Sequence, residues 1–435
     1  MSDRILVINI HSSKNLGDAA LLQVTLQQLK KDFPFGEITL CMDDPQSHKG
    51  LETKHNSIFS WVFPFRNNGN ASWNYKHLAL LLPATLLPLI SQILFKRKIW
   101  MFSPKSIRGI INAYLDADLV ISKPGGFLYS SGRGISLLVA VYSILYAYLA
   151  GKPIYIFPQS IGPLKRRWEN WLVRWLMEKV RILMVREPIS YQLIKGIGVK
   201  NRQVYLIPDL AFSLHDAGRD AGSSWLIQHG INPQIGEPLM GMTMINWGAQ
   251  NKSFTLQSEY EDACGKAVRY FVENLDGRVL LFPQVWGPLP SQDDRIPAHR
   301  VMEQLSDISA KVKIVDEPVP AEWLKSIYGW MHVFIGTRMH SNIFALSQGV
   351  PVIAIGYLHK TAGIAQMVGI EHWVIDIQKV QGNAIRDKLA ELWIERQLWR
   401  EKIQDAIPRL IREAETAGKM VARDYLEYRK LTKSE

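Results

Sequence analysis

Short apolar runs alternate with amphipathic stretches along the whole chain. Arg4–Ile10 (RILVINI) reads as a buried strand, and Asp18–Lys31 as the amphipathic helix after it. Runs of strand length recur at Glu37–Met42, Asp118–Ser122, Pro153–Phe157, Arg181–Val185 and Gln203–Ile207, with helical patterns between them. A looser polar stretch with several glycines, Asp216–Gly236, marks the passage into a second half. There the pattern restarts, at Leu239–Ile245, Arg278–Phe282, Val312–Val315, His332–Ile335, Pro351–Ile355 and His372–Ile375. Six strand signals in each half, alternating with helices, predict an α/β protein of two doubly wound Rossmann-like domains. We assign residues 1–220 to the first domain and 221–385 to the second. Residues 386–435 read as a charged helical tail broken at Pro408.

Two segments depart from this rhythm. Leu78–Phe95 (LALLLPATLLPLISQILF) carries no charge and runs into Lys96-Arg97-Lys98. Its length reaches the threshold for a membrane span. Pro83 and Pro88 divide it, however, so the insert at 78–98 is expected to form a buried or interfacial helical hairpin. The shorter Leu137–Leu149 reads as a core helix. In Lys165–Lys179, Trp168, Trp171 and Trp175 stand among Arg166, Arg167 and Arg174. Tryptophan with arginine suits a lipid headgroup region, although a helix packed on a sheet gives the same spacing.

Composition narrows the class. A chain of 435 residues with 47% hydrophobic and 21% charged residues is globular and long enough for two or three domains. Cys41 and Cys264 are its two cysteines, which excludes a disulfide framework and points to a reducing compartment. Met-Ser-Asp-Arg leads directly into a strand and leaves no room for a signal peptide. The expectation is a cytoplasmic protein, peripheral on the inner face of the membrane if the apolar insert docks there. The net charge of +11 favours an anionic partner. No compact basic stripe interleaved with stacking aromatics is present, so no nucleic-acid partner is expected. The first βα turn, His11–Gly17, lacks G-x-G-x-x-G, so no dinucleotide cofactor is expected. Without D-x-D, H-x-x-x-H or a cysteine cluster, no metal is expected either. The pairs Asp43-Asp44 and Asp293-Asp294 read as turns.

The richest chemistry lies between Ile335 and Lys360. Strand His332–Ile335 ends at Gly336, and Arg338 and His340 fall in the turn that opens a helix. Ile343, Phe344 and Leu346 form the apolar side of that helix, Gly349 closes it, and Pro351 starts the next strand. A helix N-terminus attracts anions, and Arg338 with His340 adds a guanidinium and a proton-transfer group. A purely structural arrangement, with Arg338 paired to a carboxylate and His340 capping the helix, would use the same residues. Other polar residues also follow strands: Asn15, Gly125, Arg186, Asp209 and Lys360. That edge of an open parallel sheet is where ligands bind, so two such domains would face each other across a cleft. Gly125-Gly126 fits either a tight turn or close approach of a ligand to the backbone. Asp18 is equally well placed as a helix cap.

The chain resembles the polysaccharide pyruvyl transferase family in Asn15-Leu-Gly-Asp18, Gly125-Gly126, Pro158-Gln-Ser-Ile-Gly162, Arg186-Glu187 with Ser190, Pro208-Asp209, Gly336-x-Arg-x-His340 and Gly356-Tyr357-x-x-Lys360. Pro283-Gln284 echoes Pro158-Gln159 in the second half. The resemblance implies a GT-B-like pair of domains and transfer of pyruvate from phosphoenolpyruvate, as co-substrate without a cofactor, onto a sugar as a cyclic ketal. It implies donor binding by Arg338, the Met339 backbone, His340 and Arg186. Lys360 is expected either to join them as an anion ligand or to stand solvated. On the acceptor side it points to Asn15, Gly125, Gly126, Gln159 and Asp209. The chain departs from the family at His11-Ser-Ser-Lys14, where a glycine-rich turn is usual, and at Glu187, where Asp is frequent.

The residues suit that reaction independently. Phosphoenolpyruvate presents a phosphate and a carboxylate, which two arginines and a helix N-terminus match. Ketal formation needs a proton at the methylene carbon and loss of a proton from each acceptor hydroxyl. His340 is the expected proton-transfer residue, with Arg338 stabilising the departing phosphate and Asp18 or Asp209 assisting deprotonation. The expected acceptor is a sugar of a polysaccharide or lipid-linked oligosaccharide. The rival is a GT-B glycosyltransferase using a nucleotide sugar. Such an enzyme would place a ribose-binding carboxylate soon after this helix, and no Asp or Glu occurs between Gly349 and Glu371. A non-catalytic anion-binding or membrane-docking protein is the third reading. It predicts that alanine at 338 or 340 abolishes no chemical activity.

Overall fold

The computed structural model describes residues 2–48, 50, 54–64, 74–130 and 136–434. The first lobe is built on strands β1 (Arg4–Ile10), β2 (Glu37–Met42), β3 (Lys54–Asn56), β4 (Leu119–Ser122), β5 (Gly125–Leu128), β6 (Ile154–Ile161), β7 (Ile182–Val185) and β8 (Val204–Leu206). They lie in the order β3-β2-β1-β4-β6-β7-β8, with β5 pairing beyond the end of β4 onto β6. The second lobe holds β9 (Leu239–Thr243), β10 (Arg278–Leu281), β11 (Val312–Ile314), β12 (Val333–Gly336), β13 (Val352–Gly356) and β14 (Val374–Asp376), ordered β11-β10-β9-β12-β13-β14. Every pairing in both sheets is parallel, with Ile5 opposite Ile38 and Phe334 opposite Val352. Helices cover both faces, so strands such as β4, β6 and β7 are buried throughout and read as continuous apolar runs. The order reverses between β1 and β4 and again between β9 and β12, the two switch points of a doubly wound pair.

Several sequence expectations are corrected. Gly125-Gly126 is not a turn but the start of β5. β6 continues through Pro158–Ile161, so Gln159 is a strand residue. Short β3 and β5 carry too few apolar positions for periodicity to register. The apolar insert is one helix, Tyr75–Phe95, that keeps both prolines inside, and not a hairpin. The polar passage contains a helix, Arg219–Gln228, whose Gly222 seats against the backbone of Ser326 in Ala321–Tyr328. The tail does not break at Pro408: helix Ala384–Ala414 runs through it, held by buried Ile403, Ile407 and Leu410.

The final helix, Thr416–Ser434, returns to the first lobe. There Asp424 accepts hydrogen bonds from Tyr155, Arg181 and Gln203 at 2.8, 2.6 and 3.1 Å. The lobes also join at their inner loops. Leu16 N–H donates to Gln284 O at 3.1 Å, and Trp286 N–H donates to Lys14 O at 2.8 Å.

Candidate active site

Each switch point carries a polar pair. At β1/β4, the ammonium of buried Lys123 lies 2.7 Å from Asp18 Oδ1. Asn15, not Asp18, caps the helix Leu16–Asp32, accepting from the N–H groups of Gly17 and Asp18 at 3.1 and 3.4 Å. Asp18 is thereby left free for Lys123. Burial alone would raise its pKa, but Lys123, His11 and His340 outweigh that and hold it well below the usual carboxylate range. A carboxylate so held positions hydroxyl groups by accepting their hydrogen bonds and is a poor proton acceptor. At β9/β12, the hydroxyls of Thr243 and Ser341 meet at 2.7 Å and fix the turn that presents Arg338 and His340.

Arg186 follows β7 and is 1% exposed. Its Nε donates to Ser160 Oγ at 2.7 Å and its Nη1 to Asp209 Oδ2 at 2.5 Å, while Nη2 lies against Gly126. A β-carbon on Gly126 would stand 2.7 Å from that nitrogen, so this glycine makes room for the guanidinium. Asp209, after β8, is fully buried. Burial pushes its pKa up, but Arg186 and His340 pull it well below normal.

Arg338 follows β12 at the N-cap of Met339–Ser347. Its Nε reaches Asp294 Oδ1 and Oδ2 at 3.2 and 3.0 Å, and its Nη2 reaches Oδ1 at 2.5 Å. Asp294 also accepts from the backbone N–H groups of Gln284 and Val285, at 3.2 and 2.9 Å. Burial outweighs these partners and raises the Asp294 pKa to about 6. Tyr357, after β13, sits beside Arg338 and Lys360, whose charges lower its pKa against the effect of burial. Lys360 is lowered by burial and by Arg186 and Arg338, with the Tyr357 ring 5.8 Å from its ammonium. Arg186 and Arg338 each pair with a carboxylate, whereas Lys360 faces a phenol and two guanidinium groups, with Asp18 acting on it only through its field.

His340 reaches across the cleft from the second lobe. Its Nδ1 packs on Gly17, where a β-carbon would collide with the ring, and its Nε2 lies 3.7 Å from Asp209 Oδ2. At that separation Nε2 is buried without a hydrogen-bond partner. Burial lowers its pKa more than Asp209 raises it. His359 stands similarly, its Nε2 3.6 Å from Glu187 Oε1 of the first lobe with both ring nitrogens unpartnered. Gln159 Oε1 and Gln284 Nε2, from the two Pro-Gln stretches, are also buried without partners. Buried polar atoms are ordinarily satisfied, so this concentration at the facing edges marks where a polar ligand belongs.

The structure thus brings Asp18, Gly126, Arg186, Asp209, Arg338, His340 and Lys360 together between the lobes. Asn15 shapes the first turn. Met339 is the first residue of the helix, with its side chain buried and its N–H at the anion-attracting end. Gly125 pairs opposite Gln159 in the β5–β6 register. The sequence pattern presents Asp294 as a turn residue and does not single out Lys123 or His359. Nor does it single out His11, whose Nδ1 lies 2.7 Å from Asp43 Oδ2. Burial would lower the His11 pKa, but the hydrogen bond to Asp43 raises it above normal. The signal for His11 was its place after β1, the criterion that found the others. Asn9, with φ at 60° and its amide on Ser122 Oγ at 3.0 Å, bends the strand end toward it. Among the described residues, no three His, Cys, Asp or Glu side chains converge as a metal site would require.

A family model described as polysaccharide pyruvyl transferase matches residues 15–359. The amylovoran biosynthesis protein AmsJ of Erwinia amylovora is 24% identical over 425 residues, covering 98% of this chain and 99% of that protein. Among solved structures, S. aureus MnaA with UDP superposes with a TM-score of 0.61 at 11% identity, covering 99% of this chain and 98% of that one. Sucrose-phosphate synthase from Thermosynechococcus elongatus gives 0.59 at 14% identity, covering both chains fully. The UDP-GlcNAc 2-epimerase of Neisseria meningitidis, bound to UDP-GlcNAc, gives 0.54 at 13% identity, covering 98% and 100%. These likenesses show the fold, a GT-B-type pair of α/β lobes.

Proposed function

The chain belongs to the polysaccharide pyruvyl transferase family, and from that premise we propose that it transfers pyruvate from phosphoenolpyruvate onto two hydroxyls of a sugar, forming a cyclic ketal. The sugar belongs to a polysaccharide or a lipid-linked glycan. The observation carrying this reading is the unpartnered Nε2 of His340 at the meeting of Arg186, Arg338 and Lys360. The carboxylate end of the small donor anion lies toward Arg186 and Lys360, and the phosphate end toward Arg338 and the N–H groups of Met339–Ser347. Asp294 fixes the plane of Arg338, so the guanidinium is oriented before the donor arrives.

The two acceptor hydroxyls release two protons, and the balance is complete without another reagent. One proton ends on the methylene carbon, which becomes methyl, and one on the departing phosphate. Two C–O bonds form at the central carbon and its bond to the phosphate oxygen breaks. His340 delivers the carbon-bound proton, with Asp209 supporting the imidazolium. Arg338 and the N–H groups at the start of Met339–Ser347 stabilise the phosphate as charge collects on it, while Arg186 and Lys360 hold the carboxylate. His11, oriented by Asp43, receives a hydroxyl proton on the acceptor side, and Asp18 holds the hydroxyls in place.

The test incubates the protein with phosphoenolpyruvate and a panel of glycosides, following phosphate release together with a pyruvyl gain in mass. Joint appearance of both supports the reading. Failure with phosphoenolpyruvate but turnover of a UDP-sugar would replace it with nucleotide-sugar glycosyl transfer. The missing carboxylate between Gly349 and Glu371 argues against that alternative.

A further inference from the structure

The outer side of the first lobe carries apolar surface that its own fold leaves uncovered. Helix Tyr75–Phe95 buries one stripe, Ala84, Thr85, Pro88, Leu89 and Ser91, against the lobe. Thr85 Oγ1 meets the Tyr142 hydroxyl at 2.5 Å, and its carbonyl accepts from Tyr146 at 3.0 Å. Both ends are anchored. Asn74 N–H donates to Val62 O at 2.9 Å, and the His77 ring stacks on Trp61. After a left-handed Lys96 the chain doubles back, with Ile99 N–H on Ser91 Oγ at 2.9 Å and the Ser103 hydroxyl on Ala84 O. Tyr75–Phe95 is long and apolar enough to cross a bilayer by length and composition, but it is held at both ends and folded against its own return on the side of the lobe. It can lie along a bilayer.

What it leaves outside is mostly apolar. Ile93 is 54% exposed, Phe95 66% and Met101 71%, joined by Leu82, Ile90 and Leu94. The neighbouring helix, Ser136–Leu149, exposes Leu138, Tyr148 and Leu149, and Arg167–Met177 beyond it exposes Trp168 and Trp171. Tyr148 packs edge-on against Trp175, which makes these helices neighbours. The charge pattern gives the patch a direction. Residues 53–115 contain no Asp or Glu, and neither do residues 119–168. Lys96, Arg97, Lys105, Lys165, Arg166 and Arg167 are all exposed there. A protein partner would normally be met with charges of both signs. Asp116 meets Lys98 at 3.5 Å at the margin of the patch, and a surface of apolar side chains with a predominantly cationic rim matches an anionic phospholipid surface.

We propose that this face docks the protein on an anionic bilayer, with Tyr75–Phe95 and its return lying in the interface plane and Trp168 and Trp171 at headgroup depth. The Trp/Arg helix begins just past the C-terminal end of β6, the edge that holds the candidate site. Docking there brings a lipid-linked acceptor alongside the cleft. That consequence rests on the pyruvyl-transfer reading, whereas the bilayer contact itself does not.

The test sediments the purified full chain with phosphatidylglycerol-containing vesicles and with phosphatidylcholine vesicles, at low and high salt. The expected result is binding to the anionic vesicles, weakened by salt. A Leu94→Glu/Phe95→Glu double substitution lowers it at least tenfold, and Lys96→Glu/Arg97→Glu removes the salt dependence. All of these variants keep wild-type transfer to soluble glycosides, which shows that they are folded. Wild-type protein that stays in the supernatant with every vesicle overturns the proposal. So does a discrete dimer dissolved by Leu94→Glu/Phe95→Glu, which would make the patch a self-interface. Vesicle binding without pyruvyl transfer would instead refute the reaction and leave the docking intact.

Discussion

Gly17 of the first lobe lies against the imidazole of His340 in the second, so closely that there is no space for a β-carbon. The first helix thus begins on the residue proposed to transfer the proton, and the glycine in Asn15-Leu-Gly-Asp18 has a steric reason. Gly17→Ala forces the ring or the lobe aside. A displacement of about 1 Å at a reacting group costs about 10²-fold in rate. We expect a loss of that order in kcat with little change in thermal stability, checked by steady-state kinetics beside a melting curve. Unchanged kcat would mean that His340 does not work in this position.

Asp294 fixes the plane of Arg338, and in the proposed reaction it does so without touching the donor. Asp294→Asn should raise KM for phosphoenolpyruvate by about 10-fold or more, the usual scale for loss of a supporting ligand. Arg338→Ala should cost about 10²–10³ in kcat, as for a lost oxyanion donor. The measurement is the split between KM and kcat in the two variants. Equal loss of kcat in both would contradict the positioning role.

Arg186 and Asp209 form a pair buried on both sides. Asp209→Asn leaves the guanidinium uncompensated and should cost about 3–5 kcal/mol at neutral pH, read by urea unfolding. Because the folded pKa of Asp209 is depressed, its stabilisation is complete above its unfolded value of about 4 and lost as pH falls through the folded value. The gap between wild type and variant should therefore narrow in acid and stay constant between pH 6 and 8. A gap that widened in acid would contradict the assignment.

His340 is lowered in the free protein chiefly by burial, so its imidazole is neutral at pH 7.5. A bound anion favours the imidazolium. Donor binding should then draw in a proton, and affinity should rise as pH falls from 8 toward 6.5. Calorimetry in buffers of different ionisation enthalpy reads this uptake directly, and His340→Gln should remove it. Equal uptake in wild type and variant would assign the proton to the donor's own phosphate.

Much of this arrangement was legible because parallel strands buried on both faces announce themselves as apolar runs. β1 and β2 fall on their expected residues, and the polar residues after each strand mark the edge that holds the candidate site. Asp294 escaped because its role depends on Arg338, 44 positions later, and a loop carboxylate looks like any turn residue until the fold closes. β5 escaped because Gly-Gly-Phe-Leu has no alternation to read. Pro408 misled because the packing of Ile403, Ile407 and Leu410 outweighs the hydrogen bond a proline removes. The capping assignment failed by three positions: Asn15 takes the cap, and that frees Asp18 for Lys123.

The most direct test of the central claim, that the facing lobes hold phosphoenolpyruvate for protonation by His340, is transfer carried out in deuterium oxide with product analysis by mass spectrometry. The account predicts that wild type releases phosphate and yields a pyruvylated sugar with a single carbon-bound deuterium in the new methyl group. His340→Gln should form this product at a rate lower by about 10²–10⁴. A methyl group free of deuterium, or undiminished turnover by His340→Gln, would contradict it.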